Sequence, residues 1–186
     1  MPRSAPEALL LVDGYNVIGA WAGLKKTRDR DGLEASRREL VEALAGYSAY
    51  QGYHTEVIFD AQYQGTPGNR EVITQNLSVF YTDFLQTADT YIEITCAKFR
   101  HDLRRFEQRL IVATSDRAQQ LTVKGYGAEW LSALQLQSDI EAIAHRIRSK
   151  QKTKSQTSGR FLMNSLDPSA RQRLTELRFG GKTPKP

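Results

Sequence analysis

Leu9-Leu10-Leu11-Val12-Asp13-Gly14-Tyr15-Asn16 decides how the 186-residue chain is read. Four apolar residues in an unbroken run, closed by a turn signal, have the signature of a short strand buried on both faces, as in a parallel sheet. The strand ends on an acid, Asp13. Gly14 then permits a sharp turn or a close backbone approach, and Asn16 adds an amide two residues on. In open parallel α/β sheets, ligands bind beyond the carboxyl ends of the strands, so an acid at this place stands where chemistry is done. Asp-Gly is also an ordinary turn pair. Its weight comes from the recurrence of the pattern along the chain.

Residues 54–60 read as a second strand, with Val57, Ile58 and Phe59 buried and Asp60 at its end. Residues 76–81 fit a third strand, residues 109–114 a fourth followed directly by Ser115-Asp116, and residues 128–131 a short fifth. Between them, residues 33–50 carry apolar positions near helical spacing, with Gly52 as the stop. Thr87 is a predicted cap for a helix over 88–106, which carries Asp89 and Glu93 one above the other at i and i+4. Asp116 caps a helix over 117–124, and 132–150 is a helix with Leu134, Ile140, Ile143 and Ile147 as its apolar positions. Residues 21–32 show no periodicity and read as an exposed loop, as do residues 62–70 with Gly65, Pro67 and Gly68. The alternation predicts one α/β domain over residues 1–150, a mostly parallel sheet flanked by helices. Residues 151–160 read as a polar, basic linker. A last helix, from Asp167 as cap and Pro168 at its first position to about Phe179, completes a C-terminal helical extension over 151–186.

Composition narrows the function classes. The chain is 40% hydrophobic and 25% charged, ordinary for a globular protein. The single cysteine, Cys96, falls inside a predicted helix and reads as a packing thiol. No apolar run approaches a membrane span and no secretory signal is present, so no membrane partner and a cytoplasmic location are expected. The net charge of +5 is unevenly spread: residues 146–186 hold 11 Lys or Arg against two acids, while the preceding 145 hold 15 against 19. A mildly acidic body with a basic end suits a polyanionic partner.

Asp13, Asp60 and Asp116 each follow a buried strand, and Asp89 opens the helix after the third. In a parallel sheet all four gather at one edge. Like charges so placed raise one another's pKa unless a cation neutralises them. Carboxylate oxygens suit Mg²⁺ or Mn²⁺, whose shells are completed by water and substrate phosphate. The three histidines, none of them at a strand end, offer no zinc site. Such a cation site supports phosphodiester hydrolysis. A phosphatase with an Asp-x-Asp nucleophile motif is disfavoured, because Tyr15 stands where its second acid belongs.

LLLVDGYNVIGAW, EVIFDA, TADTYIE and VATSDRAQQ, in this order, resemble the YacP-like NYN domains, a branch of the PIN-like ribonucleases, over about residues 9–150. The resemblance implies a Rossmann-like (PIN-like) three-layer sandwich and a metal-dependent endoribonuclease that acts on RNA, with a ribosome association and messenger RNA cleavage among relatives. It implies that Asp13, Asp89 and Asp116 bind the metal, that Asn16 positions Asp13 or a water, and that Asp60 is a supporting acid. Family members often have an acid where this chain has Gln86. Several further residues fit a nucleic-acid strand. Tyr15, Trp21 and Tyr63 would stack on bases. Lys25, Lys26, Arg28 and Arg30 form a basic run, and Arg117, beside Asp116, suits a phosphate. The alternative, favoured by Gln86 and the basic end, is a non-catalytic RNA- or ribosome-binding module that keeps the fold. The oligomeric state is left open.

Overall fold

The computed structural model describes residues 7–60 and 68–165. Its elements run β1 (Ala8–Asp13), α1 (Gly14–Ala20), α2 (Ala22–Asp31), α3 (Leu33–Gln51), β2 (His54–Phe59), β3 (Asn69–Thr74), β4 (Leu77–Tyr81), α4 (Ala88–Arg100), β5 (Arg109–Ala113), α5 (Arg117–Gly125), β6 (Glu129–Leu131) and α6 (Ala133–Ser165), with a 3-10 turn at Leu103–Phe106. The chain divides into two units, Met1–Ala144 and His145–Pro186. The first holds the whole sheet. In the second, residues 145–165 are helical.

The sheet has the order β3-β4-β2-β1-β5-β6, and every pairing is parallel except that of β3 with β4. β1 lies between β2 and β5, with Val12 opposite Val57 on one side and Ala113 on the other. The run of apolar residues in β1 follows from this position: Leu10, Leu11 and Val12 have neighbours on both faces and are fully buried. One face packs under α4 and α5, where Leu11, Ile58 and Val112 meet Ile92, Cys96 and Val123. The Cys96 thiol is a core group, its pKa pushed up to about 12 by burial. α1 and α3 pack against β2, α3 also against β4, and α2 against α3. The expected three-layer α/β architecture with a mostly parallel sheet is thus what forms.

Four local expectations change. Residues 22–31, read as a loop, form α2. A helix that buries one side chain, Leu24, shows no apolar period, yet Ala, Leu, Lys and Arg are good helix formers. Its backbone is tied to α3 by Ser36 Oγ, which donates to Leu24 O at 3.1 Å. β3 is an added antiparallel edge strand, exposed along its length, so it lacks the apolar alternation that marks a strand. The helix expected over 88–106 ends at Arg100, and the 3-10 turn follows, capped by Asp102. Residues 151–160 continue α6 rather than forming a linker, since Gln and Lys sustain a helix and no proline stops it. Within α6, Leu134 is exposed, and Leu136 takes the buried place assigned to it. Gly52, in the left-handed region at φ 67°, ends α3 as expected. The helix expected over 167–179 lies outside the described residues.

Candidate active site at the carboxyl edge of the sheet

From β1 the chain moves outward through β2 to β4, then returns across β1 to β5. The crevice beyond the carboxyl ends of β1 and β5 is therefore the topological switch point, where open α/β sheets bind ligands. Asp13 is the last residue of β1 and the N-cap of α1, its Oδ1 accepting a hydrogen bond from Asn16 N at 3.2 Å. Gly14 follows because an added Cβ would overlap the Phe59 ring, so the close approach is to the core rather than to a ligand. Asn16 Oδ1 accepts from Ser115 N at 2.7 Å and joins the end of β1 to the turn after β5. Asp60, just past β2, accepts from the backbone N–H of Ala88 and so holds the start of α4. Thr87 caps that helix as predicted, accepting from Thr90 N at 3.1 Å, and Asp89 lies in its first turn. Asp116 caps α5, accepting from Gln119 N at 2.9 Å.

Electrostatics confirms that these acids share one field. Asp13 is 8% exposed, and its pKa is raised to about 7. Burial is the main cause. The Asn16 N–H opposes it, and the charges of Asp89, Asp60 and Asp116 add to it. Asp89 is also held above the usual carboxylate range, by burial and then by Asp116, Asp60 and Glu93. Among the described residues none of the four acids forms an ion pair. Nor do three His, Cys, Asp or Glu side chains there converge closely enough to hold an ion by themselves. The donor set is all hard oxygen. It fits a cation such as Mg²⁺ or Mn²⁺ that takes one or two carboxylates and keeps much of its water.

The residues expected to contact nucleic acid fare differently. Trp21 is 6% exposed, and its Nε1 donates to Ala133 O at 2.7 Å. It is a core residue whose one polar group is already satisfied, so it is not a stacking surface. Tyr15 lies on α1, half-buried, with its ring tilted against Phe59 at 5.0 Å between centroids. Its hydroxyl accepts from Arg37 at 3.3 Å. Lys25, Lys26, Arg28 and Arg30 are exposed on the helix α2 rather than on a loop, and Arg28 and Arg30 pair with Asp29 and Asp31. Arg117 is exposed at the first position of α5, next to Asp116. Tyr63 lies outside the described residues.

Two residues of the site escaped sequence reasoning. Arg37, mostly buried, lies over the rings of Phe59 and Tyr81 at 5.9 and 5.7 Å from their centroids. Gln119, 2% exposed, donates its Nε2 to Asp89 Oδ1 at 2.7 Å. The signal for Gln119 was present: Asp116-x-x-Gln119 has the spacing of a capping box.

The chain matches the YacP-like NYN domain over residues 10–179. It is 35% identical, over 139 residues, to the uncharacterized protein YacP of Bacillus subtilis (strain 168), covering 75% of this chain and 78% of that protein. Two solved structures of Rae1 (YacP) from Bacillus subtilis are similar to it at 30% identity. A mutant form gives a TM-score of 0.65 over 91% of this chain and 99% of its own. The other gives 0.61 over 92% of this chain and 95% of its own. The chain belongs to the YacP-like NYN domain family, whose members are generally ribonuclease-like nucleases.

Proposed function

We propose that the protein is a metal-dependent endoribonuclease that hydrolyses RNA phosphodiester bonds, on single-stranded RNA or on messenger RNA presented by the ribosome. The observation that carries this reading is the gathering of Asp13, Asp60, Asp89 and Asp116 at the switch point, with Asp13 buried among like charges. Asp13, Asp89 and Asp116 would hold Mg²⁺ or Mn²⁺. When bound, such an ion lowers the pKa of water and stabilises an in-line transition state at phosphorus.

The chain's own residues prepare that chemistry. Asn16 fixes the corner after β1 to the corner after β5, and so sets the spacing of Asp13 and Asp116. Asp60 anchors the start of α4 and thereby places Asp89. The N-termini of α1, α4 and α5 all open on this edge, and their partial positive charge offsets some of the repulsion among the acids. Arg117 is placed to meet a phosphate beside Asp116.

A second reading, a non-catalytic RNA-binding module, is favoured by one observation: among the described residues no three acids converge on one point. Cleavage of a labelled single-stranded RNA with Mn²⁺ or Mg²⁺ separates the two. The expected result is cutting that leaves 5′-phosphate and 3′-hydroxyl ends, abolished by chelation. It should fall by about 10²-fold or more in Asp13→Asn and Asp89→Asn, the scale of removing one electrostatic contact to a transition state. Metal-independent cutting, or cutting that survives both substitutions, would refute the assignment. Retained RNA binding without cutting, on free RNA and on translating ribosomes alike, would establish the second reading.

A further inference from the structure

We infer that Gln119 is a positioning residue of the acid cluster, which holds Asp89 and Asp116 together and presents its amide oxygen to the hydrated divalent cation; this rests on the nuclease reading and deepens it. Gln119 sits in the first turn of α5 and reaches two acids at once. Its backbone N–H donates to Asp116 Oδ1 at 2.9 Å, and its side-chain Nε2 donates to Asp89 Oδ1 at 2.7 Å. The remaining atom of the amide, Oε1, is buried and has no hydrogen-bond partner among the described residues.

That arrangement is not what helix capping requires. A Gln at this position of a capping box usually reaches back to the backbone N–H of the cap. Here the Asp116 N–H is already taken, donating to Thr114 Oγ1 at 3.1 Å. The Gln119 side chain is thereby released from capping and turns toward the acids. Its orientation follows from theirs: an ionised carboxylate only accepts hydrogen bonds, so Nε2 must face Asp89 and Oε1 must face away from it.

A buried carbonyl oxygen without a donor costs its full desolvation and regains nothing. The ionised acids around it cannot supply the missing donor. A hard cation with retained water can, because its waters donate and its charge attracts neutral oxygens; Gln carbonyls are among the ordinary ligands of such ions. A neutral oxygen also adds to the site without adding to its negative charge. This matters where like charges already hold Asp13 and Asp89 in part uncharged and three acids do not converge.

The test is Mn²⁺ binding by the full chain, read from the loss of the free-ion electron paramagnetic resonance signal, alongside thermal unfolding in chelator. Gln119→Leu keeps the side-chain volume and removes both polar atoms. It should bind Mn²⁺ about 10–100-fold more weakly, the usual loss for an outer partner of a metal ligand, while unfolding no earlier than wild type without metal. Gln119→Glu keeps an oxygen and loses the donor to Asp89, so it should retain most of the wild-type affinity. Wild-type Mn²⁺ affinity in Gln119→Leu would overturn the inference. So would a loss in Gln119→Glu as large as that in Gln119→Leu, and this arm decides the matter even where the Leu variant fails to fold. Asp13→Asn separates the two levels. Binding lost there but intact in Gln119→Leu defeats this inference alone, whereas a wild-type chain that binds no Mn²⁺ defeats the nuclease reading with it.

Discussion

At 8% exposure Asp13 has given up most of the water that would solvate its charge, and Asp89, Asp60 and Asp116 face it with charge of the same sign. Its native pKa of about 7 lies above the ordinary value of 3.8. Between those values the folded chain therefore holds a proton that the unfolded chain has released, and stability falls as pH rises. The contribution is complete below about pH 4 and lost by about pH 7, with an upper limit of about 4 kcal/mol at 1.36 kcal/mol per unit. Asp89 shifts in the same direction. Denaturant titration of the metal-free protein should show stability declining from pH 5 to pH 8. Asp13→Asn should flatten that decline and leave the variant more stable than wild type at pH 8. Added Mn²⁺ should recover stability in wild type above pH 7, where the acids are free to bind it, and not in the variant. A pH-independent wild type would mean that the acids are solvated after all. Asp13 was legible in the sequence because an acid ending an apolar run is a local pattern. Gln119 was not, because its capping-box spacing predicts a bond to its own helix, and only the contact of Thr114 with Asp116 redirects it.

Between elements, the site depends on how the turn after β1 is held to the turn after β5. The Asn16 amide makes that link over 99 residues of chain. Asn16→Ala leaves the Ser115 N–H without its acceptor, and since Ser115 is exposed the stability cost should be small, about 1 kcal/mol. Cleavage should suffer more, by about 10–100-fold, because Asp13 and Asp116 would lose their common reference. Equal small losses in both would show that the link is only structural. Where strands and helices were read correctly, the signal was local: apolar runs in β1, β2 and β5, and caps at Thr87 and Asp116. Where they were misread, the deciding contact was remote. α2 is stabilised against α3, through Ser36 on Leu24 O and Thr27 on Glu39 at 2.6 Å, rather than by any pattern of its own. β3 exists because β4 offers it an edge, and its exposed residues carry no period.

Over the whole chain, charge is segregated, with the acids at the switch point of the first unit and an excess of Lys and Arg after residue 145. Truncation after Ser165 removes five Lys or Arg and two acids. Binding of single-stranded RNA by the Asp13→Asn protein should then weaken and depend less steeply on salt, because fewer phosphates are neutralised. The unfolding midpoint of the α/β unit should be unchanged. An unaltered salt slope would remove the basic end from the RNA interface. The order of the residues alone settled that β1, β2 and β5 are buried strands, that an acid ends or follows each, and that helices alternate with them. Periodicity and capping act over a few residues and survive without knowledge of the rest. The strand order that turns four separated acids into one cluster came only from tertiary structure, as did the burial of Trp21 against Ala133 and the turning of Gln119 toward Asp89. Each of these is a contact between segments far apart in the chain, decided by which faces must be buried together rather than by any local preference.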